Sequence, residues 1–172
     1  MPKCCVSGHR PHRFPWNYGD SECKEHQKYL RTMAVSVKKL IDEGYDCFIS
    51  GGAIGVDTDF AEAVLQAKAD FAPWITLELT LPCPGHDRYR RSLDKLRIRR
   101  LLSAADKVTY VSDRYTFSCM QKRNEYMVDE SDMLLAVWNG IEKGGTFNTI
   151  AYARKKGIGI EIIDLTPQNF RD

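Results

Sequence analysis

The chain has 172 residues, 43% of them hydrophobic, and its 25 basic side chains nearly balance 23 acidic ones. A net charge of +2 gives no general argument for nucleic-acid binding, and no apolar run reaches the ~18 residues of a membrane span. Composition therefore favours one globular domain, residues 1–172, with no membrane association and a core large enough to fold without disulfides or metal.

The start of the chain and its cysteines indicate a cytoplasmic protein. No apolar segment typical of a signal peptide follows the N-terminus. The six cysteines are scattered and have no zinc-type spacing, so we expect reduced thiols and no metal site. No cofactor is expected to be required.

Strands alternate with helices along the first half of the chain. Strands are predicted at Lys3–Ser7, Asp46–Ser50 and Trp74–Leu81, and helices between Ser21 and Gly44 and at Val56–Lys68. The apolar face of the first helix is predicted to hold Leu30, Met33, Val37, Leu40 and Ile41.

The same alternation continues in the second half. The predicted elements are a basic helix at Arg88–Ala105, a strand at Lys107–Val111, a helix at Phe117–Glu130, a strand at Asp132–Trp138, a helix at Thr146–Lys156 and a strand at Ile158–Ile163. In the basic helix, Tyr89, Leu93 and Leu96 are predicted to be buried, and Arg90, Arg91 and Arg97 to project outward.

This alternation predicts an α/β fold, with a mainly parallel sheet between two layers of helices. Ligands of such sheets bind at the carboxyl ends of the strands, near the point where the strand order reverses. The loops after the first, second and fifth strands are therefore the candidate binding loops.

The loop after the second strand is rich in glycine and leads into a helix. Its predicted ligand-binding residues are Gly51, Gly52, Ala53, Gly55 and Asp57. Glycines allow a ligand close to the backbone, and a helix N-terminus attracts phosphate. The spacing fits neither the dinucleotide fingerprint nor a P-loop. A tight turn without a ligand remains an alternative, and Asp57 can either complement the helix dipole or bind ribose hydroxyls.

A second turn of this kind follows the fifth strand, and its candidate residues are Gly144, Gly145 and Thr146. Thr146 can bind phosphate or simply cap the helix. Arg123 and Asn124 precede that strand, and the Arg123 guanidinium can clamp a phosphate or lie on the surface.

The loop after the first strand contributes Ser7, Gly8, His9 and Arg10, and it continues to His12 and Arg13. Two histidines and two arginines at a strand end can bind an anion or a base, and they lack an established metal spacing.

The basic run Arg88–Arg100 is typical of a solvated face, while an acidic partner or nucleic acid is the alternative.

Four segments taken in order resemble the YpsA-like family of small bacterial proteins, whose members are poorly characterised. They are Ser7-Gly8-His9-Arg10, then Ser50-Gly51-Gly52-Ala53-x-Gly55-x-Asp57, then Arg123-Asn124-x-x-Met127-Val128-Asp129-x-Ser131-Asp132, then Gly144-Gly145-Thr146 with Tyr152-Ala153 behind it. The family belongs to the SLOG superfamily, which also holds DprA and the LOG phosphoribohydrolases. The resemblance implies a Rossmann-like fold and a pocket for nucleotides or nucleotide-derived molecules.

The LOG enzymes provide a test of catalytic function. Their turn carries two glutamates, which stand where this chain has Asn148 and Thr149. Those carboxylates are implicated in glycosidic cleavage, whose transition state needs nearby negative charge. The resemblance therefore favours a non-catalytic protein.

We accordingly expect a protein that binds or senses a small nucleotide-like ligand. A nucleotide-processing hydrolase is the first alternative, and a DprA-like nucleic-acid-binding module using Arg88–Arg100 is the second. Self-association is a further expectation, for which the sequence names no interface.

Overall fold

A computed structural model of the protein describes residues 1–87 and 90–171. Within these residues, six strands alternate with five helices. The strands are β1 (Lys3–Gly8), β2 (Cys47–Ser50), β3 (Thr76–Leu81), β4 (Lys107–Tyr110), β5 (Met133–Trp138) and β6 (Gly159–Asp164). The helices are α1 (Lys24–Asp42), α2 (Val56–Asp70), α3 (Ser92–Ala104), α4 (Cys119–Asp129) and α5 (Gly145–Lys156).

The strands form one sheet in the order β4-β3-β2-β1-β5-β6, and every described pair is parallel. Successive residues of a strand face opposite sides of the sheet. Cys4 packs in the larger core with α1 and α2, whereas Cys5 packs in the smaller core with α4 and α5. The predicted α/β class, a Rossmann-like sheet between two helical layers, is confirmed.

The order of the strands fixes where the fold can hold a ligand. From β1 the chain steps outward to β4, and it then crosses back to place β5 on the other side of β1. The strand order therefore reverses between β1 and β5. The loops that follow these two strands open outward at that point, beside the loop after β2.

Leu30 and Trp74 are examples of apolar residues that were predicted for regular elements and are exposed. Leu30 is 39% accessible, and the buried position on α1 belongs to Tyr29, whose hydroxyl donates to the Asp59 carboxylate at 2.8 Å. Trp74 is 62% accessible and lies before β3, which begins only at Thr76. In both cases a neighbouring residue makes the tertiary contact, which local periodicity does not encode.

The basic helix differs more strongly from its prediction. The described helix α3 begins at Ser92, and Arg88 and Tyr89 lie outside the described residues. Leu93 and Leu96 are exposed, so their predicted burial is wrong, and Ile98 and Leu101 take that role.

The predicted outward orientation is also wrong for Arg97, because acidic residues of α2 lie opposite it. Its Nη2 is 2.7 Å from the Asp59 carboxylate, and its Nε is 2.7 Å from that of Glu62. Arg97 therefore joins α3 to α2 and is not part of a solvated face.

Candidate functional site

A cavity of about 510 Å³ opens at the carboxyl ends of β1 and β5, where the strand order reverses. Its size is within the usual range for small-molecule sites. The cavity is lined by Ser7, Gly8, His9, Arg10, His12, Arg13, Ala53, Asp57, Met120, Arg123, Asn124, Gly145 and Thr146. Residues from four separate segments of the chain therefore meet in one place.

The lining contains every predicted site residue except Gly51, Gly52, Gly55 and Gly144. Two of these four glycines have a clear packing role. A Cβ atom on Gly51 would collide with the Arg123 guanidinium and lie 2.6 Å from the Asp57 carboxylate. A Cβ atom on Gly55, whose φ is 113°, would lie 2.5 Å from the His9 carbonyl oxygen. The structure thus gives these glycines a role in shaping the wall.

Arg123 forms the floor of the cavity and is only 4% accessible. Its Nη1 donates to the Gly51 carbonyl and lies 3.5 Å from the Asp57 carboxylate, while its Nε donates to the Asn124 side chain at 2.8 Å. No acceptor for Nη2 is found among residues 1–87 and 90–171. The guanidinium is therefore held on two sides, and Nη2 remains available to a ligand.

Burial acts on both charges of the Arg123–Asp57 pair. It raises the pKa of Asp57, and the positive charge of Arg123 opposes that rise. Burial also lowers the pKa of Arg123, and Asp57 opposes this change. Each charge thus depends on the other, and Asp57 also accepts a hydrogen bond from the Ala53 amide at 3.3 Å. This arrangement explains the position of Asp57 without a direct ribose contact.

His9 connects the three loops of the site. Its carbonyl accepts from the Val56 amide at 3.3 Å, and its Nε2 accepts from the Asn139 amide at 3.3 Å. Burial, and then the positive charge of Arg13, lower the pKa of this imidazole. A neutral ring suits the acceptor role of Nε2, so His9 positions the loops at neutral pH.

The two glycine-rich turns differ in the backbone groups that they offer. Of the first three amides of α2, those of Val56 and Thr58 donate to the carbonyls of His9 and Ala53, whereas that of Asp57 has no acceptor within the described residues. At the start of α5, the amides of Gly145, Thr146 and Phe147 have no acceptor within the described part of the chain, and the first turn contains no acidic residue. The α5 N-terminus therefore has three open donors where α2 has one, and it is the better placed of the two to bind an anion.

The two positions compared with the LOG glutamates lie away from the cavity. Asn148 is exposed, and the Thr149 hydroxyl donates to the Gly145 carbonyl at 2.9 Å. Neither residue lines the cavity, and Asp57 is the sole carboxylate among its described lining residues.

Three lining residues, His12, Arg13 and Met120, were not among the predicted site residues. The anion-binding character of the His9–Arg13 loop was a usable signal for the first two. Arg13 reaches the second glycine turn, where its Nη1 would be 3.3 Å from a Cβ on Gly144. That proximity depends on the tertiary fold and has no local pattern.

Other kinds of site have little support within the described residues. Residues 1–87 and 90–171 contain no cluster of three or more His, Cys, Asp or Glu able to hold a metal ion. The same residues include no disulfide bond. Among the helices described, none is both long and apolar enough to cross a membrane.

The Rossmann-like fold, with a cavity where the strand order reverses, agrees with the family to which a sequence comparison assigns the chain. The sequence model of the family described as the YspA SLOG family (YpsA) matches residues 4–166, so the chain belongs to that family. Membership suggests a nucleotide-related function, although its relatives are uncharacterised.

Individual relatives give the same assignment. The chain is 32% identical over 149 residues to the uncharacterized SPbeta prophage-derived protein YoqJ of Bacillus subtilis, covering 80% of this chain and 86% of YoqJ. It is 29% identical over 119 residues to a UPF0398 protein of Halalkalibacterium halodurans, covering 68% of this chain and 62% of that protein. A UPF0398 protein of Bacillus cereus is 24% identical over 162 residues, covering 91% of this chain and 85% of the relative.

Proposed function

We propose that the protein binds a small nucleotide-derived ligand through a phosphate group and acts as a sensor without turning the ligand over. The observation that carries the proposal is the set of open amides at the start of α5 beside the Nη2 atom of Arg123, in one cavity. Helix N-termini offer amide donors and a positive dipole end to phosphate, and guanidinium groups match its geometry with two parallel donors.

The charges of the cavity support an anionic ligand. Arg10, Arg13 and Arg123 line it, and Asp57 is the carboxylate that its described lining offers. Asp57 is already paired with Arg123. The site therefore carries an excess of positive charge that a phosphate would neutralise.

Binding without turnover is supported by the distribution of carboxylates. Glycosidic hydrolysis generally uses a pair of carboxyl groups beside the scissile bond. The described lining offers Asp57, which is committed to Arg123 and the Ala53 amide. The turn at Asn148 and Thr149 supplies no second one.

A thermal-shift panel of AMP, GMP, NAD, ADP-ribose, cyclic dinucleotides and ribose 5-phosphate tests the proposal, with each incubated sample checked for released base. A ligand at 100 times its Kd stabilises the fold by about 2.7 kcal/mol, which raises the Tm of a chain of this size by several degrees. We expect such a shift with no base released. A shift with released base would assign a hydrolase, and no shift with any compound would contradict nucleotide binding.

A further inference from the structure

A second groove, of about 340 Å³, adjoins the main cavity on the side of α3. Arg10 and His12 line both spaces and form their common wall. The remaining lining of the groove consists of Pro11, Ile54, Arg90, Arg91 and Asp94. Arg90 was predicted to project outward, but its Nη1 donates to the Gly52 carbonyl at 3.3 Å. It is therefore held over the first glycine turn, beside the site.

The groove has guanidinium groups without matching carboxylates. Arg91 is paired with Asp94, at 3.3 Å between Nε and Oδ2. Neither Arg10 nor Arg90 forms an ion pair with any carboxylate in residues 1–87 and 90–171. The two guanidinium groups that flank the groove thus have no direct counter-charge there.

These arginines also act on each other and on Arg123. Burial, and next the charge of Arg10, lower the pKa of Arg90, and the charges of Asp87, Asp94 and Asp57 oppose the change only in part. Arg10 and Arg90 add to the effect of burial that lowers the pKa of Arg123. Three positive groups therefore lie close enough to destabilise one another, and an anion between them would remove that cost.

We propose that the groove between Arg10 and Arg90 is a second anion-binding subsite, and that the ligand therefore carries two phosphate groups. This inference rests on the proposed function, because the first phosphate is the one bound at the α5 N-terminus. A pyrophosphate group, whose two phosphates share an oxygen, matches two subsites that share the wall residue Arg10. The ligand class is then a nucleoside diphosphate or an ester of one.

Calorimetric titration of the full chain with AMP, ADP and ADP-ribose at low ionic strength tests this subsite. The wild type is expected to bind ADP about tenfold more tightly than AMP, the effect of one charge-assisted phosphate contact. Arg90→Gln should remove most of that ratio, because it weakens the binding of ADP much more than that of AMP. Arg99→Gln is the matched control, because Arg99 is an exposed arginine of the following helix, α3, and lines neither space.

The possible results separate the two proposals. Equal affinity for AMP and ADP, or a ratio that survives Arg90→Gln, would overturn the second subsite and leave nucleotide binding intact. Failure of all three probes to bind would overturn both. Binding of an oligothymidylate more tightly than ADP, lost in Arg90→Gln, would assign the groove to a nucleic-acid backbone and overturn the small-ligand class.

A second variant distinguishes loss of the second subsite from loss of the folded structure. Arg90→Lys retains the charge, so it should restore most of the ratio between ADP and AMP. The far-UV circular dichroism and Tm of each variant are measured without ligand. A ratio that stays absent in a folded Arg90→Lys protein would contradict an electrostatic role for this residue.

Discussion

The Arg123 guanidinium occupies the space where a side chain on residue 51 would begin, and its Nη1 donates to the Gly51 carbonyl. The floor of the cavity therefore depends on the absence of a Cβ atom at this position. Gly51, which was predicted to bind the ligand, instead provides in the structure the space that the Arg123 guanidinium fills.

Gly51→Ala is expected to displace Arg123 and to destabilise the fold by about 2–4 kcal/mol, because overpacking and a disturbed buried ion pair act together. The free energy of unfolding in denaturant measures the loss. Gly145→Ala is the matched control, since nothing lies within 4 Å of a Cβ there. If Gly51→Ala were as stable as the wild type, the close packing of Arg123 on this backbone would be wrong.

The buried pair of Asp57 and Arg123 should show strong coupling. Asp57→Asn leaves the guanidinium buried without its counter-charge and is expected to cost about 3–5 kcal/mol. The double variant Asp57→Asn/Arg123→Gln should cost less than the sum of the single variants by at least about 1 kcal/mol. Additive losses in a double-mutant cycle would show that the two groups do not interact.

The ion pair of Arg97 with Asp59 allows a test of whether the basic helix is only a solvated face. Arg97→Gln leaves the Asp59 carboxylate, which is almost wholly buried, without its cation, and we expect a loss of about 2–4 kcal/mol. The exposed neighbour Arg99 has no such partner in the described structure, so Arg99→Gln should change stability by no more than about 0.5 kcal/mol. Chemical unfolding of both variants makes the comparison, and similar small effects would restore the solvated-face interpretation.

Stability should fall in mild acid, partly through His9. Burial lowers the pKa of this group in the folded protein, so the unfolded chain binds more protons between the folded pKa and the ordinary value of about 6.5. The stability contributed by neutral His9 is therefore present above that value and is lost as the pH falls. His9→Gln keeps an acceptor for the Asn139 amide and should show a shallower decline from pH 7 to pH 5. His12→Gln, at an exposed position, should match the wild type, and an unchanged slope in His9→Gln would contradict this assignment.

The sequence was sufficient to predict the order of strands and helices, because alternating apolar runs and glycine turns are local signals. Parallel pairing and the choice of three candidate loops followed from that order. The individual faces were less predictable. Leu30 and Leu93 fit a helical period, yet Tyr29 and Ile98 are the buried residues, Tyr29 because the Asp59 carboxylate of α2 accepts from its hydroxyl.

The chemistry of the site was also predicted only in part. Its four segments were found from residue type, but which glycine turn keeps open amides depends on tertiary hydrogen bonds such as that from Val56 to His9. The approach of Arg13 to Gly144 and of Arg90 to Gly52 joins residues far apart in sequence. No local pattern contains either contact.

Phosphate binding by the open amides at the start of α5 can be tested with one pair of variants. Gly145 is the first residue of α5, a position at which proline is well tolerated. Gly145→Pro removes the amide donor and Gly145→Ala keeps it, while a Cβ at this position meets no other atom. Calorimetric titration with ADP-ribose is the measurement. We expect binding about tenfold weaker in Gly145→Pro than in Gly145→Ala, which should match the wild type. Equal affinity in the two variants would contradict phosphate binding at the α5 N-terminus.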